Sequence, residues 1–400
     1  MKPLWSTFIE KFFCGIQSNT NKMLLLCVIS FFILFCGCQS PSPTSSDSDG
    51  ILSLTIDRKQ DNIAFPLSEI TEKVDVIELE LNEESLISEI RDVYVLSEHY
   101  IISDVKSIGV LVYDKQGHFV RRIGKKGQGP GEFPNTYTIQ IDHKRSTISF
   151  SMINKVVIYD IHGNLIEEKK INGIQLQYYD YLYYLNDSLF IIRDKTEKDR
   201  DGLYHQSNYF NIFAYSNEND TFCLVDSILI IKHNPIKAHT MSFQSVFQHQ
   251  NQVYMFYASY EPGEFIYVIK NHQFVPFARL KLTTTMRGLN VTDRYVIAIH
   301  GALIGNTSMP RVITPDMRHS INNQTIVHNF SYYAYDLMTG KSIDSYHGFI
   351  DDIHHTNDTV RIKVIDGSNM FYYTREHEYS EALKAEPNPT LYIGTFKIKP

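Results

Sequence analysis

Tyr113-Asp114-Lys115-Gln116-Gly117-His118-Phe119-Val120 returns, altered, along the chain. Tyr159-Asp160-Ile161-His162-Gly163-Asn164-Leu165-Ile166 repeats it, and Tyr335-Asp336-Leu337-Met338-Thr339-Gly340-Lys341-Ser342-Ile343 repeats it again. Each copy reads as a strand ending in an aromatic, a tight Asp-x-x-Gly turn and a strand leaving it. Glycine supplies the positive φ such a turn needs, and the Asp side chain can accept from the turn's own amides. Weaker copies follow Tyr215 and Tyr267. The five copies are spaced by 46, 56, 52 and 68 residues, the period of propeller blades, each a four-stranded antiparallel sheet.

Outward from these hairpins, short runs rich in Val, Ile, Tyr and Phe recur, bounded by Gly, Asn and Asp. They include Val74–Leu81, Tyr100–Ser103, Tyr181–Leu185, Val253–Tyr257, Tyr295–His300 and Met370–Tyr373. No helical period of any length interrupts them, which indicates an all-β chain. A sixth blade can be assembled from the C-terminal strands and the strand near Val74–Leu81. The expectation is therefore a six-bladed β-propeller of four-stranded antiparallel blades, closed by its N- and C-terminal strands so that no ring edge is left open. The stretches Asp194–Leu203 and Gly301–Asn329 read as insertions.

Composition agrees: 43% hydrophobic and 21% charged residues are an ordinary globular mixture. The formal charge of −7 argues against nucleic acid as a partner.

Met23–Gly37 is a run of fifteen uncharged, mostly apolar residues preceded by Lys2, Lys11 and Lys22. That is short for a membrane span and has the length of a signal-peptide core. The 22 residues before Met23 are long for its basic region, which leaves Met1 and Met23 both open as starts. Leu34-Phe35-Cys36-Gly37-Cys38 resembles the lipobox of bacterial lipoproteins, with Cys38 as the lipidated position. Gln39-Ser40-Pro41-Ser42-Pro43-Thr44-Ser45-Ser46 then reads as a polar tether. The expected organisation is a signal peptide over 1–37, a tether over 38–50 and one propeller over 51–400. Removing the leader's three Lys and one Glu takes the charge from −7 to −9. Of five cysteines, Cys38 and Cys223 remain; Cys223, in an apolar run, is expected to be buried.

Arg121-Arg122-Ile123-Gly124-Lys125-Lys126-Gly127-Gln128-Gly129-Pro130-Gly131-Glu132-Phe133 resembles the signature of the six-bladed β-propeller lipoproteins of Bacteroidetes, relatives of NHL-repeat propellers. Glu72–Glu80 with Glu84–Ile90 resembles that family's opening, Asp351-Asp352-Ile353 its late acidic motif, and Asn388–Lys397 its closing strand. The resemblance spans about Ile70 to Lys397. It implies the propeller fold and an envelope location but transfers no catalytic residue, because the family mostly lacks a defined activity.

Three constellations carry chemistry. Arg121, Arg122, Lys125 and Lys126 are candidates for an anion-binding patch near the channel mouth. Their Gly-rich surroundings lack the Lys-Ser/Thr of a phosphate-binding loop and read as an inter-blade connection. Asp351, Asp352 and His354, with His347 and His355 beside them, are the densest set of potential metal ligands. Histidine with carboxylate suits zinc or another transition metal, and Asp351 or Asp352 could fix Ca²⁺ in the central channel. The set reads first, however, as a polar loop with a turn-forming Asp, and no cofactor is expected. Adjacent His354 and His355 would face opposite sides of a strand. The 26 Tyr and 24 Phe could stack on sugars but also suit packing between blades. No nucleophile elbow or zinc-binding helix motif is present.

The expected function is a lipid-anchored, cell-envelope binding module for a glycan, peptide or protein partner. It would sit at the outer membrane, with the periplasmic side favoured over the surface. The alternative is a channel-centred, metal-dependent lactonase- or lyase-like enzyme.

Overall fold

Asp114, Asp160 and Asp336 fold their turns as their spacing predicts. The Asp114 carboxylate accepts from the amides of Gln116 and His118, both at 2.9 Å. Asp160 accepts from Asn164 N at 2.8 Å, and Asp336 from Met338 N at 2.9 Å. Gly117 has φ +89°, and a Cβ there would lie 2.2 Å from the Glu78 carbonyl oxygen. The repeated tyrosine is a pin. Tyr113 Oη donates to Ser85 O at 3.1 Å and Tyr159 Oη to Gly131 O at 2.5 Å, each reaching the connection that enters its own blade.

The computed structural model describes residues 51–398 except 57–62, 107–108, 134–137, 175–180, 199–203, 234–245, 258–263, 283–285, 305–319, 322–323, 326, 347, 357 and 376–386. The expected signal peptide and tether, Cys38 and His347 lie outside the described residues.

Six blades follow, their strands ordered from the axis outward. Blade 1 is Ile90–Val95, His99–Asp104, Val110–Asp114 and Phe119–Ile123; blade 2 is Thr138–Asp142, Thr147–Ser151, Lys155–Asp160 and Leu165–Lys170. Blade 3 is Tyr181–Leu185, Ser188–Lys198, Tyr204–Ser216 and Thr221–His233; blade 4 is Val246–His249, Gln252–Phe256, Phe265–Lys270 and Gln273–Leu282. Blade 5 is Met286–Val291, Tyr295–Ile304, Val327–Asp336 and Ser342–Tyr346. Blade 6 joins Lys363–Val364, Met370–Arg375 and Thr390–Phe396 to the N-terminal strand Thr71–Glu78. The strands that flank the anticipated insertions are lengthened: Asp194 pairs with Asn208 in blade 3, and Gly301 with Phe330 in blade 5.

Hydrophobic burial is divided into six clusters, one between each pair of neighbouring blades. The cluster joining Ile77, Tyr372 and Leu391 of blade 6 to Val93, Ile102 and Tyr113 of blade 1 closes the ring. Alternating side chains of a strand face opposite neighbours, so every blade serves two clusters.

The N-terminal segment does more than complete blade 6. Leu52–Ile56 adds a parallel fifth strand to the outer edge of blade 4. Tyr346 N of blade 5 then donates to Ile63 O at 3.0 Å, and Phe65 N donates to Ser345 Oγ at 2.7 Å. The segment thus belts the outer edges of blades 4, 5 and 6, covering strand edges that would otherwise invite pairing.

Gly394, in the third strand of blade 6, is required by packing: a Cβ there would lie 2.0 Å from the Phe371 ring, which also meets Phe396 at 4.9 Å between centroids. Gly394→Ala is expected to cost about 1–3 kcal/mol through overpacking. Urea unfolding, read as a shift in midpoint at unchanged slope, checks this.

Candidate functional site

Antiparallel strands alternate in direction, so each blade's first and third turns lie at one end of the propeller. The second turns and the connections between blades lie at the other. The first end is built from tight turns such as Asn186-Asp187, Gln250-Asn251 and Asn271-His272, all at positive φ. Among the described residues, the second end carries the longer connections, including the Gly-rich stretch and the Asp351 region.

At the tight-turn end the axis is closed by polar contacts. Asp366, in the turn after blade 6's innermost strand, accepts from Tyr183 Oη of blade 3 at 2.5 Å and from Gln248 N of blade 4 at 2.7 Å. Gly367 N donates to Gln248 O at 3.1 Å, and the His143 ring of blade 2 lies 3.4 Å from Asp366 O. Asn369 and Gln250 both reach Asp293 of blade 5. One turn therefore ties together the inner strands of blades 2, 3, 4 and 6. Burial raises the Asp366 carboxyl to about 6, and its two donors only partly oppose that. Burial also raises Asp92, on blade 1's innermost strand, against the opposing charges of Lys363 and Arg91. Burial lowers His143, favouring its neutral form.

The Gly-rich stretch is an inter-blade connection, as expected. It runs from the outermost strand of blade 1 to the innermost of blade 2. Lys125–Lys126 pairs in parallel with Glu132–Phe133, and Glu132 binds Lys125 Nζ at 2.9 Å. Arg121 and Arg122 lie on the outermost strand of blade 1 and alternate in direction. Arg121 donates to His162 O at 2.7 Å, and Arg122 to Glu84 O at 2.9 Å. Of the four, Lys126 is exposed and without a protein partner among the described residues.

Asp351, Asp352 and His354 lie in the connection from blade 5 to blade 6, where residues 352–355 form a turn and not a strand. The two carboxylates are turned to different partners. Asp351, 0% exposed, accepts from Arg375 Nη2 at 2.8 Å, Tyr373 Oη at 2.9 Å and His354 N at 3.1 Å, with His354 Nδ1 at 3.0 Å. Burial pushes its carboxyl up, and the His354 and Tyr373 hydrogen bonds outweigh that and hold it below the usual range. Asp352 accepts from Ser68 N at 3.0 Å and Ser68 Oγ at 2.5 Å, fixing the N-terminal belt. Among the described residues no group of three or more His, Cys, Asp or Glu side chains is placed to hold a metal ion.

Cys223 corrects its expectation. It is exposed, because it lies on blade 3's outermost strand with Phe222 taking the inward direction. The tyrosines and phenylalanines whose burial is described are buried or half-buried, and none forms an exposed platform. A cleft of about 70 Å³ between blades 2 and 3, lined by Asp142, Arg145, Ile158 and Tyr184, has room for a few waters only.

Sequence reasoning missed Asp92, His143, Tyr183, Gln248 and Asp366. Asp92 and Asp366 do carry a signal, an acid within an apolar strand and an Asp-Gly turn, but nothing local says that the charge of Asp92 reaches Asp366.

Residues 53–395 match the family model described as "Domain of unknown function (DUF4934)". No curated protein matches. Similar solved structures include a protein described as exported from Bacteroides fragilis NCTC 9343, 13% identical with a TM-score of 0.49 over 87% of this chain and 99% of that one. A DUF4221 family member from Bacteroides vulgatus ATCC 8482 is 10% identical, with a TM-score of 0.48 over 82% and 97%. The polysaccharide lyase Uly1 is 10% identical, with a TM-score of 0.37 over 87% and 97%.

Proposed function

This chain belongs to the DUF4934 family, and we propose that it is a lipid-anchored envelope propeller that binds a peptide or protein partner at its long-connection end. One observation carries the reading: the two ends are built differently. The tight-turn end is stitched shut around Asp366, while among the described residues the other end carries the longer connections, the kind of segment on which binding is usually built. A glycan partner is less favoured, because no described aromatic with known burial is fully exposed to stack on a sugar. Attachment through Cys38 would hold the propeller at the outer membrane, on the periplasmic side.

Amine-reactive crosslinking of the full chain in its own cells tests both parts. Lys106 and Lys126 lie at the long-connection end, and Lys115, Lys144 and Lys341 at the other. Crosslinks to another protein should concentrate on the first pair, and Cys38→Ala should abolish fatty-acid labelling and reduce the crosslinks. Crosslinks spread equally over both ends, or labelling that survives the substitution, would overturn the corresponding part.

A further inference from the structure

We propose that the outer edge of blade 3 pairs with the same edge of a second copy of this chain, joining two propellers about a two-fold axis. The site is separate from the long-connection end and stands or falls independently of it. Its strand, Thr221–His233, is the last of its sheet, and no further strand joins it among the described residues. A bare strand edge offers unpaired N–H and C=O groups, and proteins ordinarily cover such edges or guard them with charge. The other five edges follow that rule. Leu52–Ile56 covers blade 4, and Ile63 and Phe65 meet the outer strand of blade 5. The outermost strands of the remaining blades expose charge: Arg122 in blade 1, Glu167, Glu168 and Lys170 in blade 2, and Glu72, Lys73 and Asp75 in blade 6.

Blade 3 does neither. From Thr221 to Ile231 its outermost strand has one charged residue, Asp226. That carboxylate accepts from Ser227 N at 2.8 Å and from Phe274 N of blade 4 at 3.3 Å. The large side chains it exposes are apolar: Leu224, Val225 and Leu229 are 56%, 49% and 48% exposed. The ladder with the blade's third strand sets their direction. Leu224 pairs with Phe213, Ser227 with Asn211 and Leu229 with Tyr209, so a bulge at Val225 leaves Leu224, Ser227 and Leu229 on one face. Asp226 and Ile228 take the other face, toward blade 4.

A second copy suits this edge because the edge is complementary to itself. With the two-fold through Ser227, antiparallel pairing sets Asp226 opposite Ile228 of the partner and Leu229 against the partner's Leu224–Val225 bulge. The two-fold repeats both contacts, as in any isologous interface. Leucines that each copy exposes to water are then covered by the other. The sequence is acidic before the strand, at Glu218 and Asp220, and basic at its end, at Lys232 and His233. Antiparallel pairing therefore brings unlike ends together, whereas parallel pairing would oppose like ones.

Sedimentation equilibrium of the full chain in a density-matched detergent tests the pairing. A reversible monomer–dimer equilibrium is expected, unchanged by reductant or by Cys223→Ser. Leu224→Glu and Leu229→Lys should each weaken dimerisation at least about ten-fold, because every change enters a two-fold interface twice. Both leucines are half exposed, so the melts of these variants should match the wild type. The variant carrying both changes should recover most of the loss, since the introduced carboxylate and ammonium then meet across the axis. In a Cys223→Ser background, Ser227→Cys should form an interchain disulfide with itself, located by peptide mapping, and Leu229→Cys should not. Directly opposite residues lie about 4.5–5.5 Å apart between Cα atoms, within disulfide range. A chain that stays monomeric to about 100 µM would overturn the proposal. So would a dimer that reductant dissolves, one insensitive to both single substitutions, or the absence of the Ser227→Cys disulfide. Crosslinks from Ser227→Cys to a different protein, with the chain itself monomeric, would reassign the edge to that protein.

Discussion

Asp351→Ala should lower the unfolding free energy by about 3 kcal/mol, one of the two largest effects expected of any single substitution here. Asp351 is 0% exposed and receives Arg375, Tyr373 and His354 together. Removing it takes away the buried acceptor of both groups at the junction of blades 5 and 6, leaving Arg375 with Thr356 Oγ1 at 2.8 Å and the Tyr373 hydroxyl with His354 Nδ1 at 3.3 Å. The figure lies at the low end for a broken buried pair because the Arg375 side chain is 27% exposed and can turn to water. Urea melts of Asp351→Ala, Arg375→Ala and the double variant check it. The double variant should be less destabilised than the sum of the singles, because the second removal strands nothing further. The pH dependence has a fixed sign. The Asp351 carboxyl is depressed in the folded chain, so its contribution is present above the ordinary carboxylate range and fades on acidification.

Asp366→Asn should change stability with the opposite pH dependence. The folded chain holds this carboxyl at about 6 against an ordinary value of 3.8. Between those values the native state keeps a proton that the unfolded chain has released. Wild-type stability therefore falls as pH rises from about 4 to about 6 and is level above that, a loss of about 3 kcal/mol from this group. Asparagine keeps the shape and can still accept from Gln248 N, while its amide can donate to Tyr183 Oη. The variant should lose that slope and match or exceed the wild type at pH 7. Melts from pH 4 to 8, plotted as wild type minus variant, should show a step centred between pH 4 and 6. A flat difference would mean that the Asp366 environment is not desolvated.

Cys223 and the basic residues show where local reading stopped. Cys223 lies in an apolar run, and such a run on an inner strand would be buried on both faces. Its exposure follows from being on the outermost strand of blade 3, and strand rank within a blade is not written in the run itself. Arg121 and Arg122 look like a patch because they are adjacent, but strand alternation sends them to His162 O and Glu84 O. Asp351 and Asp352 likewise separate, one to Arg375 and the other to Ser68.

The blade repeat, the Asp-x-x-Gly turns and the pairing of the terminal strands in blade 6 were all determined by sequence alone. Each depends on residues within one hairpin, or on apolar alternation that two strands must bury together. Tertiary structure alone decided which polar groups meet at the axis. Asp366 stands 183 residues from Tyr183 and 118 from Gln248, and no spacing rule links them. They meet because closing six blades into a ring brings every innermost strand around one axis, whatever its distance along the chain.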